Sequence, residues 1–249
     1  MFWRLSSVKL FCLQAIAHAA AIVWLIQGPS LTDILTVLIV YFFTGCLGMS
    51  VTYHRLLTHR SFKTSKFIEY LGTLFATLGL TGSSITWTAA HRQHHRGADK
   101  KGDPHSPVVM GNLQAQFLSM FSKVNMKRSP VIHDPGHRLF HLLYLPINVL
   151  WALLLWQSGG LWALLNLYLV PACILWNAGS LINTVCHTSW LGYRRYNVPD
   201  NSVNNSLLGV IMWGEGWHNN HHKNQSSPNI GEHWYEIDIG YYIIKLIRK

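Results

Sequence analysis

The sequence predicts an all-α integral membrane protein, with four transmembrane helices in two hairpins and a polar helical cap carrying a histidine metal site on one side. Three observations lead there. Charged residues make up 12% of the 249 and hydrophobic residues 49%, against roughly 25% charged in a soluble domain. Four apolar runs are long enough to cross most of a bilayer core of about 30 Å. Every Lys and Arg falls in residues 4–9, 55–138 or 194–249, outside those runs and outside the two short turns that join them in pairs.

The first run, roughly 10–27, has small residues at Ala17–Ala21 that imitate a signal-peptide cleavage site. Apolar residues continue through Ile22–Ile26, so a retained span is expected. GPSLTD turns the chain into the second run, roughly 31–51, and these two form a hairpin. A third apolar stretch, Phe67 to Ala90, separates two histidine clusters. A single crossing would put those clusters on opposite faces, so a re-entrant or interfacial helix pair is expected instead. Runs at roughly 139–156 and 161–181, joined by QSGG, make the second hairpin, with Pro146 and Pro171 expected to kink these helices or mark their ends. Residues 54–138 and 183–249 then form the cap of one membrane domain spanning 1–249. Its last segment, IGYYIIKLIRK, reads as an amphipathic tail along the interface.

The positive-inside rule puts both termini and the cap in the cytosol of a bacterial inner membrane or an ER-type membrane. The net charge of +10 is explained by that topology and by anionic lipid. No nucleic-acid module accompanies it, so nucleic acid is not an expected partner. Cys12, Cys46, Cys173 and Cys186 sit in apolar segments without a CxxC pair, which argues against disulfides and zinc fingers.

Three of the polar segments carry clustered histidines. HRLLTH contributes His54 and His59, HRQHH contributes His91, His94 and His95, and HNNHH contributes His218, His221 and His222. The second and third repeat a 0, 3, 4 spacing that puts imidazoles on one face of a helical turn. The five-residue spacing of the first would splay by about 140° on an ideal α-helix, and suits a helix end with His59 just beyond the last turn. NTVCH places Asn183 and His187 four apart at the same membrane mouth, where a buried hydrogen-bonded pair is the default. His18, His105, His133 and His233 stay unassigned, and His137 with His141 read as an interfacial pair beside Arg138. Eight or nine imidazoles exceed the four of a structural zinc site, so two metals are implied. A redox role would favour iron.

HRLLTH, HRQHH and HNNHH, with WGEGW before the last and GDPH after the second, resemble the three histidine boxes of membrane fatty acid desaturases, closest to the delta-9 acyl-CoA and acyl-lipid branch. The likeness runs from the second span to HNNHH. It implies a non-heme di-iron centre with nine ligands, His54, His59, His91, His94, His95, His187, His218, His221 and His222, and Asn183 approaching one iron through water. It further implies O2 as co-substrate and a saturated acyl chain, on CoA or a lipid, as substrate. The product carries a cis double bond. The sequence has no heme or iron-sulfur signature, so an external electron donor of the cytochrome b5 or ferredoxin type is implied. The basic residues Arg92, Arg96, Lys100, Lys101, Lys127 and Arg128 would suit such an acidic partner or a CoA headgroup, and a solvated positive-inside face equally.

Acids expected to orient the ligands' second nitrogens are Glu215, Asp103 and Glu69, with Asp99 read as equally suited to the surface. Trp87, Trp213 and Trp217 are candidates to line the acyl channel or to anchor at the interface. A membrane di-iron hydroxylase is the alternative enzyme, and a histidine-rich metal transporter the alternative of another class. The transporter would carry its ligands inside the spans.

Overall fold

The computed structural model describes residues 7–249; Arg4, part of the basic N-terminal flank, lies outside them. Every regular element among the described residues is helical, apart from isolated bridges of Asn204 to Tyr193 and Trp217. Helix α1 (Ser7–Ile26) is uninterrupted, so the small residues at Ala17–Ala21 are helix interior. Ala17 and Ala20 are buried, where small side chains allow close helix approach. Polar anchors hold it: Gln14 Nε2 donates to the Leu80 carbonyl at 2.7 Å, and His18 Nε2 accepts from Asn177 Nδ2 at 2.9 Å.

Ser30 and Asp33 close a capping box on α2 (Leu31–Tyr41). At Phe42 the helix widens to a π-helix that continues to Thr58. Thr52 and Thr58 hydroxyls donate five residues back, to Leu47 and Tyr53 carbonyls, at 2.7 Å each. Helix α3 (Lys66–Leu78) lies in backbone contact with this wide segment: a Cβ on Gly48 would stand 2.5 Å from the Ala76 nitrogen. Helix α4 (Ser84–Arg96) follows a turn with Leu80 and Gly82 at positive φ. At 13 residues each, α3 and α4 reach only about 20 Å. The stretch 67–90 is therefore two short helices, each shorter than a bilayer core.

Short helices α5 (Pro107–Met110) and α6 (Asn112–Phe117) lead to α7 (Pro135–Leu142), capped by Asp134. The apolar run expected to start at 139 begins later, because α7 ends at Leu142 and α8 (Tyr144–Leu164) starts a new helix. His137 and His141 belong to α7, where they clamp the start of α4 through Ser84 (3.0 Å) and Ser83 (2.7 Å).

Among the described residues three helical stretches are long and apolar enough to cross a membrane: Ser7–Ile26, Leu31–Thr58 and Tyr144–Val185. The third, of 42 residues, would reach about 63 Å if straight. It leaves helical geometry at Gly159 and Gly160 and folds back, so that Tyr168 Oη donates to Asn148 Oδ1 at 2.8 Å. Pro146 sits in the first turn of α8, where its missing N–H costs nothing. Pro171 opens α9 (Val170–Val185) directly after a short π segment, Leu165–Leu169, that absorbs the missing donor. Trp162 Nε1 donates to Asp33 at 2.6 Å, so both hairpin turns lie at one end of the bundle.

The cap is completed by α10 (Ser206–Ile211), α11 (His218–Lys223) and α12 (Ile239–Ile247). One apolar cluster joins the wide segment to α9 and α12, and a second joins α1, α2, α8 and α9. The C-terminal tail departs from the interfacial expectation in one respect. Its apolar face, with Ile239, Ile243 and Ile244, packs on the protein, and the face left to the surroundings carries Tyr242, Lys245 and Leu246.

Candidate metal centre

The wide helix resolves the awkward spacing of the first histidine cluster. With bonds running i to i−5, residues five apart fall on one face: the His59 N–H reaches the His54 carbonyl at 3.1 Å, and the two rings are 4.8 Å apart. His59 stands just beyond the last turn. α4 supplies His91, His94 and His95, the end of α9 leads into His187, and α11 presents His218, His221 and His222. Tight backbone contacts fix the approach to α11. A Cβ on Gly214 would collide with Asp238, and one on Gly216 with the backbone of Gly209.

All nine imidazoles converge, and they divide. His54, His59, His91, His95 and His221 bring one nitrogen each within 4.8 Å of one another, and His94, His187, His218 and His222 do the same. Within the first set Nε2 atoms lie 3.0 Å apart for His54–His221, His221–His95 and His95–His91. In the second the separations are 3.1 Å for His187–His218 and His218–His222, and 3.4 Å for His94–His222. Ligand nitrogens about 2.1 Å from a common ion and at right angles stand about 3.0 Å apart. The buried Nε2 of His59 has no hydrogen-bond partner, and a metal would satisfy it. The residues present thus fit two metal ions, one with five imidazoles and one with four.

Burial, reinforced by neighbouring imidazoles, depresses the basicity of His59 to about 2 and of His94 to about 3. His91, His95, His218 and His221 are held well below the ordinary value for the same reasons. Neutral imidazole is the ligand form. Carboxylates orient several of these rings: Glu215 lies 2.6 Å from His54 Nδ1, Asp103 2.8 Å from His94 Nδ1, Asp99 3.0 Å from His187 Nδ1 and Asp200 2.8 Å from His222 Nδ1. Burial opposes the ionisation of Glu215, yet the neighbouring His54 and Arg55 and the Ser50 hydroxyl bring it down to about 2. Asp103 is also held below the ordinary range, burial being overcome by the His94 contact. With His94 itself so weakly basic, this pair is a neutral Nδ1–H donating to a carboxylate, with Nε2 free for a metal.

Two expected acids are thus in place, and the third is not. Glu69 accepts from His137 at 3.0 Å and pairs with Lys66 at 2.6 Å, touching none of the nine histidines. Its one-turn spacing from Lys66 was the sequence signal for that role. Asp99 does contact one of the nine histidines, His187, and Asp200 was missed altogether, because nothing in NVPDNS points across 22 positions to His222. His105, left unassigned, stacks 4.5 Å from His94 with its Nε2 buried and unpartnered.

A cavity of about 210 Å³ opens on His54, His91 and His218. Its largely apolar wall includes Met49, Trp87, Tyr144, Leu175 and Gly179, and Asn183 also lines it. Trp87 lines it and stacks on His91 at 4.8 Å. The other two tryptophans lie elsewhere: Trp217 is buried under Gly209 and donates to the Ile237 carbonyl at 3.0 Å, and Trp213 packs on Tyr41 and Phe42.

The comparisons agree with this geometry. The family model described as fatty acid desaturase matches residues 32–239. The chain is 33% identical over 224 residues to the sn-1 stearoyl-lipid 9-desaturase of Anabaena variabilis, covering 85% of this chain and 79% of that protein. It is 36% identical over 219 residues to delta-9 acyl-lipid desaturase 2 of Arabidopsis thaliana, covering 85% and 70%. An acyl-CoA C20 delta5-desaturase of Anemone leveillei is 34% identical over 214 residues, covering 83% and 68%. The chain belongs to the fatty acid desaturase family of oxidoreductases.

Proposed function

We propose that this protein introduces a cis double bond at the delta-9 position of a saturated acyl chain, using O2 and two electrons from an external donor of the cytochrome b5 or ferredoxin type. The observation that carries the reading is a cavity, mostly apolar, opening on both histidine sets. In the balanced reaction two adjacent methylenes lose one hydrogen each, and O2, two electrons and two protons complete the formation of two waters. Iron in the two sets supplies the oxidant that an unactivated C–H bond demands, since no acid or base has a foothold there.

The chain's own residues do the rest. Met49, Trp87 and Leu175 hold the acyl chain against the histidines and exclude water. Glu215 and the aspartates fix the ring orientations, and Asn183 holds a water toward the four-histidine set. In this reading the long third stretch counts as two arms, giving four spans, and the distribution of Lys and Arg supports a cytosolic cap, termini and centre in this single domain. The lipid and CoA relatives leave two substrate linkages, of which the lipid is favoured by the two delta-9 relatives.

Expression in a desaturase-deficient host fed saturated fatty acids, with products identified by mass spectrometry, tests the reading. A new monounsaturated acid is expected. Hydroxylated products would refute it and favour the hydroxylase, and no product from a chain holding two irons would refute it as well. His221→Ala should lose iron and activity while remaining in the membrane.

A further inference from the structure

The two histidine sets differ in what stands behind them. Three of the four ligands in the smaller set donate their Nδ1–H to a carboxylate: His94 to Asp103, His187 to Asp99 and His222 to Asp200. These acids form one girdle. The Asp103 oxygen that takes His94 also accepts the Asp99 N–H at 2.9 Å, and the Asp99 oxygen that takes His187 accepts the Asn201 N–H at 2.8 Å, next to Asp200. Their further hydrogen bonds come from the Ser106 hydroxyl and the backbone of His105 and Ser202. Among the described residues none of the three is paired with Lys or Arg. Asp99 holds its place at φ +62, a conformation that costs a non-glycine residue about 1–2 kcal/mol and persists only where the surroundings enforce it.

The five-histidine set has one carboxylate, Glu215 on His54, and that charge is shared with the buried Arg55. The Nδ1 atoms of His95 and His221 are buried with no protein partner, as is that of His218 in the smaller set. A carboxylate on a ligand's second nitrogen makes the imidazole a stronger donor, and losing one such partner costs about 10–100-fold in metal affinity. Two more of them favour the four-histidine set by about 10²–10⁴-fold, set against the single extra imidazole of the other.

We infer that the two metal sites are unequal, the four-histidine site being filled first and emptied last, with Asp99, Asp103 and Asp200 as the positioning residues that hold its ion. The inference rests on the two-metal reading above. A half-loaded chain then carries its ion among His94, His187, His218 and His222, and the five-histidine site governs whether the pair is complete.

The test is metal release from the full-length iron-loaded protein in lipid nanodiscs, equilibrated with graded chelator and assayed for iron per chain. Two steps, separated by at least about tenfold in free iron, are expected. Asp200→Asn and Asp103→Asn, each nearly isosteric, should move the tighter step by about 10–100-fold and leave the weaker one in place, whereas a merely structural role would move both. Aspartate-to-glutamate variants should restore part of the loss. Two ions that leave together, or variants that shift both steps equally, overturn the inference alone. A chain that never holds more than one ion overturns the two-metal reading and the inference with it.

Discussion

Gly179 offers the most direct test of where the acyl chain lies. It sits within α9 and lines the cavity, and a Cβ added there meets nothing within 4 Å. Replacing a helix-interior glycine by alanine gains about 1 kcal/mol of helix propensity, so Gly179→Ala should fold at least as well as the parent. Gly179→Leu fills the same space with a larger group. If it displaces two to four methylenes of substrate, at about 0.8 kcal/mol each, the loss is about 1.6–3.2 kcal/mol, or roughly 15- to 200-fold in kcat/KM. The assay is product formation across saturated acyl chains of graded length in nanodiscs, with iron content and Tm measured on the same samples. A leucine variant with full iron, unaltered Tm and unaltered kcat/KM for every chain length would show that the substrate does not occupy this cavity.

Glu215→Gln should weaken one bound iron by about 10–100-fold, because an amide cannot accept from both His54 and the Arg55 and Ser50 side; iron per chain after dialysis is the readout, and full retention would count against an orienting role. Gly48→Ala should destabilise the protein by about 1–3 kcal/mol, read as a lower Tm, since the new methyl meets the α3 backbone at 2.5 Å. Asp134 is held at about 2 against an ordinary 3.8: burial opposes this, and hydrogen bonds from Lys66, the His137 backbone and Tyr70 prevail. A depressed carboxyl contributes its stability above the ordinary value and loses it as pH falls through the folded one. The Tm deficit of Asp134→Asn should therefore be constant above pH 5 and shrink between pH 4 and pH 2.

The apolar runs, the two short helices at 67–90 and the clustering of the histidines were legible, because each rests on a local pattern: run length, or spacing around one turn. What escaped lies in long-range geometry. The partition of the nine imidazoles into five and four mixes residues from different boxes, with His94 parted from His91 and His95 on the same helix. The spacing of His94 within HRQHH does not say which way it will face once α11 docks. Asp200 and Asp99 gain their roles only when distant loops meet, and Glu69 was misjudged because its true partner, His137, lies 68 positions away. The tail at 239–247 showed the amphipathic period of a membrane-surface helix, and a helix packed on its own protein shows the same one.

The five-histidine set also imposes an order on biosynthesis. His54 is synthesised early, whereas its neighbour His221 follows 167 residues later, and the Arg55 beside it is neutralised by Asp238 from further on still. A chain emerging at about 5–20 residues per second leaves the first histidines waiting roughly ten seconds or more for their partners. During that interval a lone buried Arg55 would be costly to hold, so the wide helix cannot settle into its final packing until the last cap segment arrives. Final packing of the wide segment thus waits on His221 and Asp238, and the nine histidines come together only then.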